Sequence, residues 1–472
     1  MPLSGTGVCI KEHIKMAYQT RNPYTDEVVK TFTPHTDAEV EAALAAGHAL
    51  YKSDWAAPAN MAARLDTLRR LADVMTERKE ELARYISIDM GKLIGQSRGE
   101  VQSCIDIARY YADNGARLLA PVPYPDVLGE AWVEHHPIGI ILAVEPWNFP
   151  FYQLIRVAAP AIAAGNPVVV KHASNVPQCA QAMEDVIREA GAPEGAYTNL
   201  FISPDQVAAI IADDRVQGVA LTGSEYAGSI VAGQAGAKLK KATMELGGND
   251  VFVVLDDADV ARAAKTAVGA RLYNAGQVCT AAKRYIVQAG AAEEFTRIVL
   301  EAFQSVVMGD PLDEASTLAP MSSKRAKEDL QQQLDRAVAN GAKLLCGNAP
   351  VPAQGQFFAP AVLTDISRDN PAYFEEFFGP VAQLYVVEND DEVVALANDS
   401  HYGLGGTIFS GDVERAKRLA SRIETGMVFI NQGGDSVAEL PFGGVKRSGF
   451  GRELGDLGIK EFVNQKLVVV AK

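Results

Sequence analysis

Asn148 lies in the run Glu145-Pro-Trp-Asn-Phe-Pro150, directly after the apolar stretch IGIILAV. A strand is expected to end there and a helix to begin, so its amide can donate a hydrogen bond to a ligand; a Pro/Asn turn that merely ends the strand is the plainer reading. Lys171, in PVVVKHASN, closes the next apolar run, where an ammonium group can bond ribose hydroxyls or a phosphate, or simply be solvated. Gly223 and Ser224, in LTGSEYAG, fall at a strand-to-helix turn whose free backbone N–H groups suit a pyrophosphate. The turn lacks both the G-x-G-x-x-G fingerprint and the Walker lysine, so an ordinary α/β connection explains it as well. Glu245 precedes paired glycines in MELGGND, and Cys279 follows in NAGQVCTAAKR. A thiol is strongly nucleophilic as its anion, so a site that favours the thiolate makes it a covalent catalyst. Taken singly, a cysteine among small residues is packing and Glu245 is a surface charge.

The elements that must position these groups follow from periodicity. From about Thr36 to Leu118 the pattern is amphipathic and helical, as in ARLDTLRRLADVMTERKEELARYI. The segment APVPYPDVLGEAWVEHHPIG is extended and proline-punctuated, the composition of an exposed strand excursion. Beyond Gly139, short β-rich runs alternate with helical ones, so a parallel, doubly wound sheet is expected, with ligands at the carboxyl ends of its strands. A second α/β stretch runs from about Val251 to Phe442, and the chain closes in KLVVVAK, an apolar strand with no obvious home in a monomer.

Bulk properties narrow the class. A chain of 472 residues with 48% hydrophobic and 22% charged residues is globular and long enough for two domains. Its net charge of -15 argues against binding nucleic acid or anionic membranes, and requires a local cation if the substrate is an anion. Cys9, Cys104, Cys179, Cys279 and Cys346 are scattered and never form C-x-x-C, which fits a reducing cytoplasm. No signal peptide and no membrane-length apolar run is read, and residues 1–15, ahead of Met16, are expected to be an extension. Adjacent His135 and His136 point to opposite faces of a strand, so no metal site is inferred from them.

Taken together, TMELGGNDVFVVLDDAD, GQVC, EEFFGP, NDSHYGL and PFGGVKRSGFGRE resemble the aldehyde dehydrogenase superfamily over nearly the whole chain. KHASN and RLYNAGQVCTAAKR are similar to its short bacterial NAD(P)-dependent succinate-semialdehyde dehydrogenase group. The resemblance implies an α/β fold with a Rossmann-type dinucleotide-binding domain (16–118 and 138–247), a catalytic domain (248–445) and oligomerisation strands (119–137 and 460–472). It implies Cys279 as nucleophile, Glu245 as general base and Asn148 as oxyanion donor. Glu376 and Phe378 would hold the nicotinamide ribose and ring, with Trp147 also on the cofactor side. A homodimer or homotetramer acting on a small-molecule aldehyde is the expected form.

Cofactor and substrate rest on departures within that resemblance. Many NAD-specific relatives carry glutamate where this chain has Ser174; without that carboxylate, and with Lys171 nearby, NADP is expected to be accepted beside NAD and even preferred. Arg156 lies two helical turns beyond Asn148, on roughly the same face, where a guanidinium suits the distal carboxylate of succinate semialdehyde. Ser436 falls near a substrate-contacting serine of that group. A second arginine found before the cysteine in some members is Tyr273 here, with Arg271 close in sequence. A broad short-aliphatic aldehyde dehydrogenase is therefore the alternative, followed by a CoA-acylating enzyme, which Glu245 disfavours, and a non-catalytic paralogue.

Overall fold

The computed structural model describes residues 18–472, so the extension read at 1–15, with Cys9, lies outside the described residues. Its organising element is a six-stranded sheet. The five parallel strands, in chain order, are Ile140–Glu145, Val168–His172, Tyr197–Asn199, Val216–Thr222 and Lys241–Glu245. In space the first lies between the second and fourth, the third and fifth are outermost, and the short strand Gly449–Phe450 adds antiparallel to Lys241–Glu245. The direction of winding thus reverses between Ile140–Glu145 and Val216–Thr222. At such a switch point the two following loops diverge and leave a crevice. Those loops carry Trp147 and Asn148 on one side, Gly223 and Ser224 on the other.

The strands form where the sequence has uninterrupted β-branched runs, because helices cover both faces and no polar alternation is needed. IILAVE and VVVKH are buried almost throughout. The helix Tyr152–Ala164, between them in sequence, is buried at every position and apolar all round except for Gln153 and Arg156. It packs on the long helix Ile94–Leu118, which in turn packs on Met61–Glu77. A second sheet of seven strands contains Val251–Val254 and Arg284–Gln288 at its centre, paired in parallel. The loop between those two strands, after the helix Val260–Leu272, carries Cys279.

The terminal strand has a home within its own chain, contrary to expectation. Val463–Ala471 pairs antiparallel with Gly129–Pro137 along nine positions, and Val122–Tyr124 completes this third sheet. His135 contacts the Leu119 carbonyl and His136 the Glu134 carboxylate.

One buried ion pair fixes how the Arg156 helix begins. That helix has no capping side chain of its own. Its first N–H groups are taken instead by Glu100, whose Oε1 accepts from Phe151 and Tyr152 at 2.9 and 3.2 Å. The other carboxylate oxygen meets Lys92 Nζ, and both side chains are fully buried. The same ammonium lies 3.6 Å from the centroid of the Phe149 ring, which stacks on Tyr273. A carboxylate at a helix N-terminus is favoured by the helix dipole, but only its counter-ion makes its burial tolerable. Lys92→Met should therefore lower unfolding free energy by about 3–5 kcal/mol in urea titration, with part recovered in Lys92→Met/Glu100→Gln. Unchanged stability of the single variant would show that the pair does not hold the helix start.

Candidate active site

One imidazole lies against both ends of the loop after Ile140–Glu145. His172 Nε2 is 2.9 Å from the Pro150 carbonyl, and Nδ1 is 3.1 Å from the Glu145 carbonyl and 3.0 Å from the Ala173 N–H. Burial lowers the His172 pKa to about 4, and the single N–H of a neutral ring bonds one of the two carbonyls. Within the loop Trp147 meets Phe378 edge to face at 5.8 Å, which joins this loop to EEFFGP. Asn148 donates one amide N–H to the Gln277 carbonyl at 3.1 Å, and its own backbone carbonyl accepts from Asn274 Nδ2 at 3.0 Å. The second amide N–H of Asn148 is left free.

The nucleophile loop is wound tightly to reach this point. Asn274 and Ala275 both have φ near +50°, a left-handed conformation costing roughly 1–2 kcal/mol for a residue with a Cβ. Gln96 and the Asn274 amide hold the turn. Arg271, close in sequence to Tyr273, does not face the substrate side. It is fully buried and donates to the carbonyls of Gly276 (2.7 Å), Phe377 (3.2 Å) and Gly379 (2.5 Å), tying the cysteine loop to EEFFGP. Further on, Lys283 donates to the carbonyls of Val278 and Cys279 and pairs with Glu376 Oε1 at 3.0 Å. Glu376 also accepts from the Gly248 N–H at 3.1 Å. Paired glycines are required here: a Cβ on Gly247 would stand 2.4 Å from Glu376, and one on Gly248 2.6 Å from the Cys279 carbonyl.

Cys279, Arg156 and Ser436 line one cavity of about 520 Å³, together with Phe149, Tyr152, Tyr273 and Phe442. The Ser436 hydroxyl bonds that of Tyr152. Arg156 lies between the Tyr152 and Phe442 rings, 4.9 and 4.8 Å from their centroids. It is not the free cation that the overall acidity called for: its Nε pairs with Glu453 at 2.6 Å, and a terminal nitrogen reaches Thr222 Oγ1 at 3.3 Å. Burial works against the guanidinium charge, and Glu453 with its neighbours outweighs it.

Glu245 is buried and does not line the cavity. Its backbone carbonyl takes the Gly223 N–H at 2.9 Å, and neither carboxyl oxygen has a hydrogen-bond partner. Glu145, Thr222 and Glu245 end adjacent strands, and Glu145 is equally buried with unpartnered oxygens. Burial first, and the nearby Glu453 second, push both carboxyls well above the usual range. Burial raises Glu453 as well, but Arg156, paired with it directly, opposes that rise. Glu145, Glu453 and Lys283 escaped a reading by position, although each sits inside a motif already singled out: EPWNFP, GFGRE and VCTAAKR.

On the cofactor side, Lys171 is half-buried at the end of its strand, without a hydrogen-bond or ion-pair partner among the described residues, and burial lowers its pKa to about 8. Ser174 lies in the following loop, where its carbonyl accepts from the Gln19 N–H at 3.3 Å. Ser224 caps the helix Glu225–Ala237 by accepting from the Ala227 N–H.

Cys279 is partly exposed and lines the cavity; burial pushes its thiol up to about 12 against the opposing pull of Lys283 and Arg156. Iodoacetamide labelling of Cys279 in the ligand-free protein should rise about tenfold per pH unit from pH 7 to 9.5. A plateau below pH 8, read by mass spectrometry of the Cys279 peptide, would show an already ionised thiol.

Residues 10–468 match the Aldehyde dehydrogenase family. The chain is 48% identical over 451 residues to succinate-semialdehyde dehydrogenase [NADP(+)] of Deinococcus radiodurans, covering 96% of this chain and 94% of that one. It is 44% identical to the probable succinate-semialdehyde dehydrogenase [NADP(+)] of Synechocystis, covering 97% and 100%. Among solved structures, succinic semialdehyde dehydrogenase from Streptococcus pyogenes in complex with NADP+ superposes with a TM-score of 0.95 at 47% identity, over 97% of this chain and 100% of that one.

Proposed function

The chain belongs to the aldehyde dehydrogenase family, and from that premise we propose that it oxidises succinate semialdehyde to succinate with NADP as the preferred cofactor. The observation that carries the substrate is the shared cavity: Cys279, Arg156 and Ser436 line the same volume. Relatives named for this substrate and for NADP, at 42–48% identity, support the reading. Arg156 would bind the distal carboxylate through N–H groups not committed to Glu453 or Thr222, beside the Ser436 hydroxyl. Because Glu453 already balances its charge, the clamp works by directed hydrogen bonds more than by net attraction. The aromatic lining of Phe149, Tyr152, Tyr273 and Phe442 favours the second reading, a broad short-aliphatic specificity.

In the proposed reaction Cys279 Sγ attacks the aldehyde carbon and its proton passes to a base. The resulting oxyanion accepts from the free amide N–H of Asn148 and the Cys279 backbone N–H, which stabilise charge where it develops. The cofactor, when bound in its oxidised form, would supply the hydride acceptor, and loss of hydride from the carbon held by Cys279 would leave a thioester there. Glu245, once deprotonated and turned toward the cysteine, activates the water that releases the acid and restores the thiol. Lys171 fits a cofactor phosphate because it is a half-buried cation without an anion of its own among the described residues. Gly223, Ser224, Ser174, Trp147, Glu376 and Phe378 would complete the proposed cofactor site. Free thiols at Cys104, Cys179, Cys279 and Cys346 are in keeping with a cytoplasmic enzyme, and no helix among the described residues is long and apolar enough to cross a membrane. The exposed Leu467 and Val470 on the third sheet, with Val127 and Leu128 in the turn that joins two of its strands, support a homodimer or homotetramer.

Arg156→Ala should raise KM for succinate semialdehyde at least about tenfold more than KM for propanal, the scale of a lost charge-assisted hydrogen bond. Equal effects on the two aldehydes would reject the clamp and favour the broader specificity. Lys171→Ala should raise KM for NADP about tenfold or more while affecting NAD less, measured by initial rates with each cofactor; equal losses would remove Lys171 from recognition of the 2'-phosphate.

A further inference from the structure

Lys283 stands four residues after Cys279, yet the chain curls so that its ammonium lies beneath the carbonyl of the cysteine itself, bonded to it and to the Val278 carbonyl. Covalent geometry keeps a cysteine sulfur within a few ångström of its own carbonyl oxygen. The side chain is 1% exposed, so the ammonium itself is shielded from solvent and its field on the nearby sulfur is weakly screened from below. Its carboxylate partner, Glu376, is paired with it at 3.0 Å and shares the same oxygen with the Gly248 N–H.

The charges around Cys279 fall into two groups. Across the cavity stand Arg156, Glu100, Asp435 and the hydroxyls of Tyr152 and Tyr273. Beneath the nucleophile stand Lys283, Glu376 and Asp250, whose Oδ1 is buried and without a partner. Arg156 is already balanced by Glu453. Lys283 is therefore the cation whose influence on the sulfur can change, and the group that changes it is Glu376.

We propose that Lys283 is a positioning residue that sets the nucleophilicity of Cys279, and that Glu376 restrains it until ribose hydroxyls compete for the Glu376 carboxylate. The proposal rests on the reading of Cys279 as nucleophile and of Glu376 as a cofactor ligand. It links two events that the fold otherwise keeps in separate loops: cofactor engagement at EEFFGP and activation of the thiol at VCTAAKR. In the cofactor-free enzyme the Lys283–Glu376 pair leaves Cys279 a protected thiol. When Glu376 turns to the ribose, the ammonium is less compensated and the thiolate beside it becomes more favourable.

The test is the rate of iodoacetamide labelling at Cys279, followed on its own peptide by mass spectrometry between pH 7.5 and 9.5. Asp250, whose pKa burial raises to about 6, stays ionised across that window. Lys283→Met should label at least about tenfold more slowly than wild type at each pH, whereas Lys283→Arg should stay within about threefold of wild type. Glu376→Gln, which removes the restraining charge, should label faster. Saturating NADP should enlarge the ratio of wild-type to Lys283→Met rates, a ratio in which steric shielding by the cofactor cancels. Circular dichroism accompanies each variant, so that acceleration through unfolding is recognised. Wild-type labelling of folded Lys283→Met, or slower labelling of Glu376→Gln, would overturn the proposal. Labelling that follows the expected pattern in a protein that oxidises no aldehyde would instead overturn the functional reading and leave the electrostatic one intact.

Discussion

Excluding water from a site raises the free energy of every charge inside it, and this one constraint organises the region around Cys279. Desolvation is the largest influence on Cys279, Glu145, Glu245, Glu453 and Lys171 alike. For the carboxyls and the thiol, burial works in the same direction, against the charged form. Two cations beside them are each matched with one carboxylate, Arg156 with Glu453 and Lys283 with Glu376. Lys171 alone of the three has no such match among the described residues, and it lies where an anionic cofactor is expected.

A similar economy governs backbone placement. The loop carrying Asn148 has little secondary structure, and it is held by side chains from three other segments: Glu100 at the helix it enters, His172 across its two ends, and Asn274 at its centre. Arg271 does the same for the cysteine loop by gathering three carbonyls. Burying a guanidinium is costly, and in Arg271 one terminal nitrogen makes all three bonds to carbonyls while the other two nitrogens find no partner among the described residues. Two consecutive left-handed residues ahead of Gln277 add strain to the same loop.

Much of this was open to reading in the sequence. The βαβ rhythm beyond Gly139 and the turn at Gly223-Ser224 were legible because strands buried on both faces are written as continuous apolar runs ended by turn residues. The grouping of Cys279 with Arg156 and Ser436 in one cavity was anticipated by motif. What local pattern cannot express is which distant residue a side chain will meet. Arg156 was read as free, since its partner Glu453 lies on a loop nearly three hundred residues later. Likewise a thiol's pKa depends on how much water the folded cavity admits, which VCTAAKR does not state. The terminal strand lacked a home for the same reason, its partner being Gly129–Pro137.

That last pairing has a consequence for how the enzyme comes into being. The strand that closes the third sheet, and the loop that delivers Glu453 to Arg156, belong to the final stretch of the chain. The five parallel strands of the first sheet precede Glu453 in the chain by roughly two hundred residues, so they can pair before it is made, leaving Arg156 without its carboxylate partner. Contacts of such high sequence separation form late and slowly. A chain lacking these residues would then hold the parallel strands around an Arg156 whose charge is uncompensated.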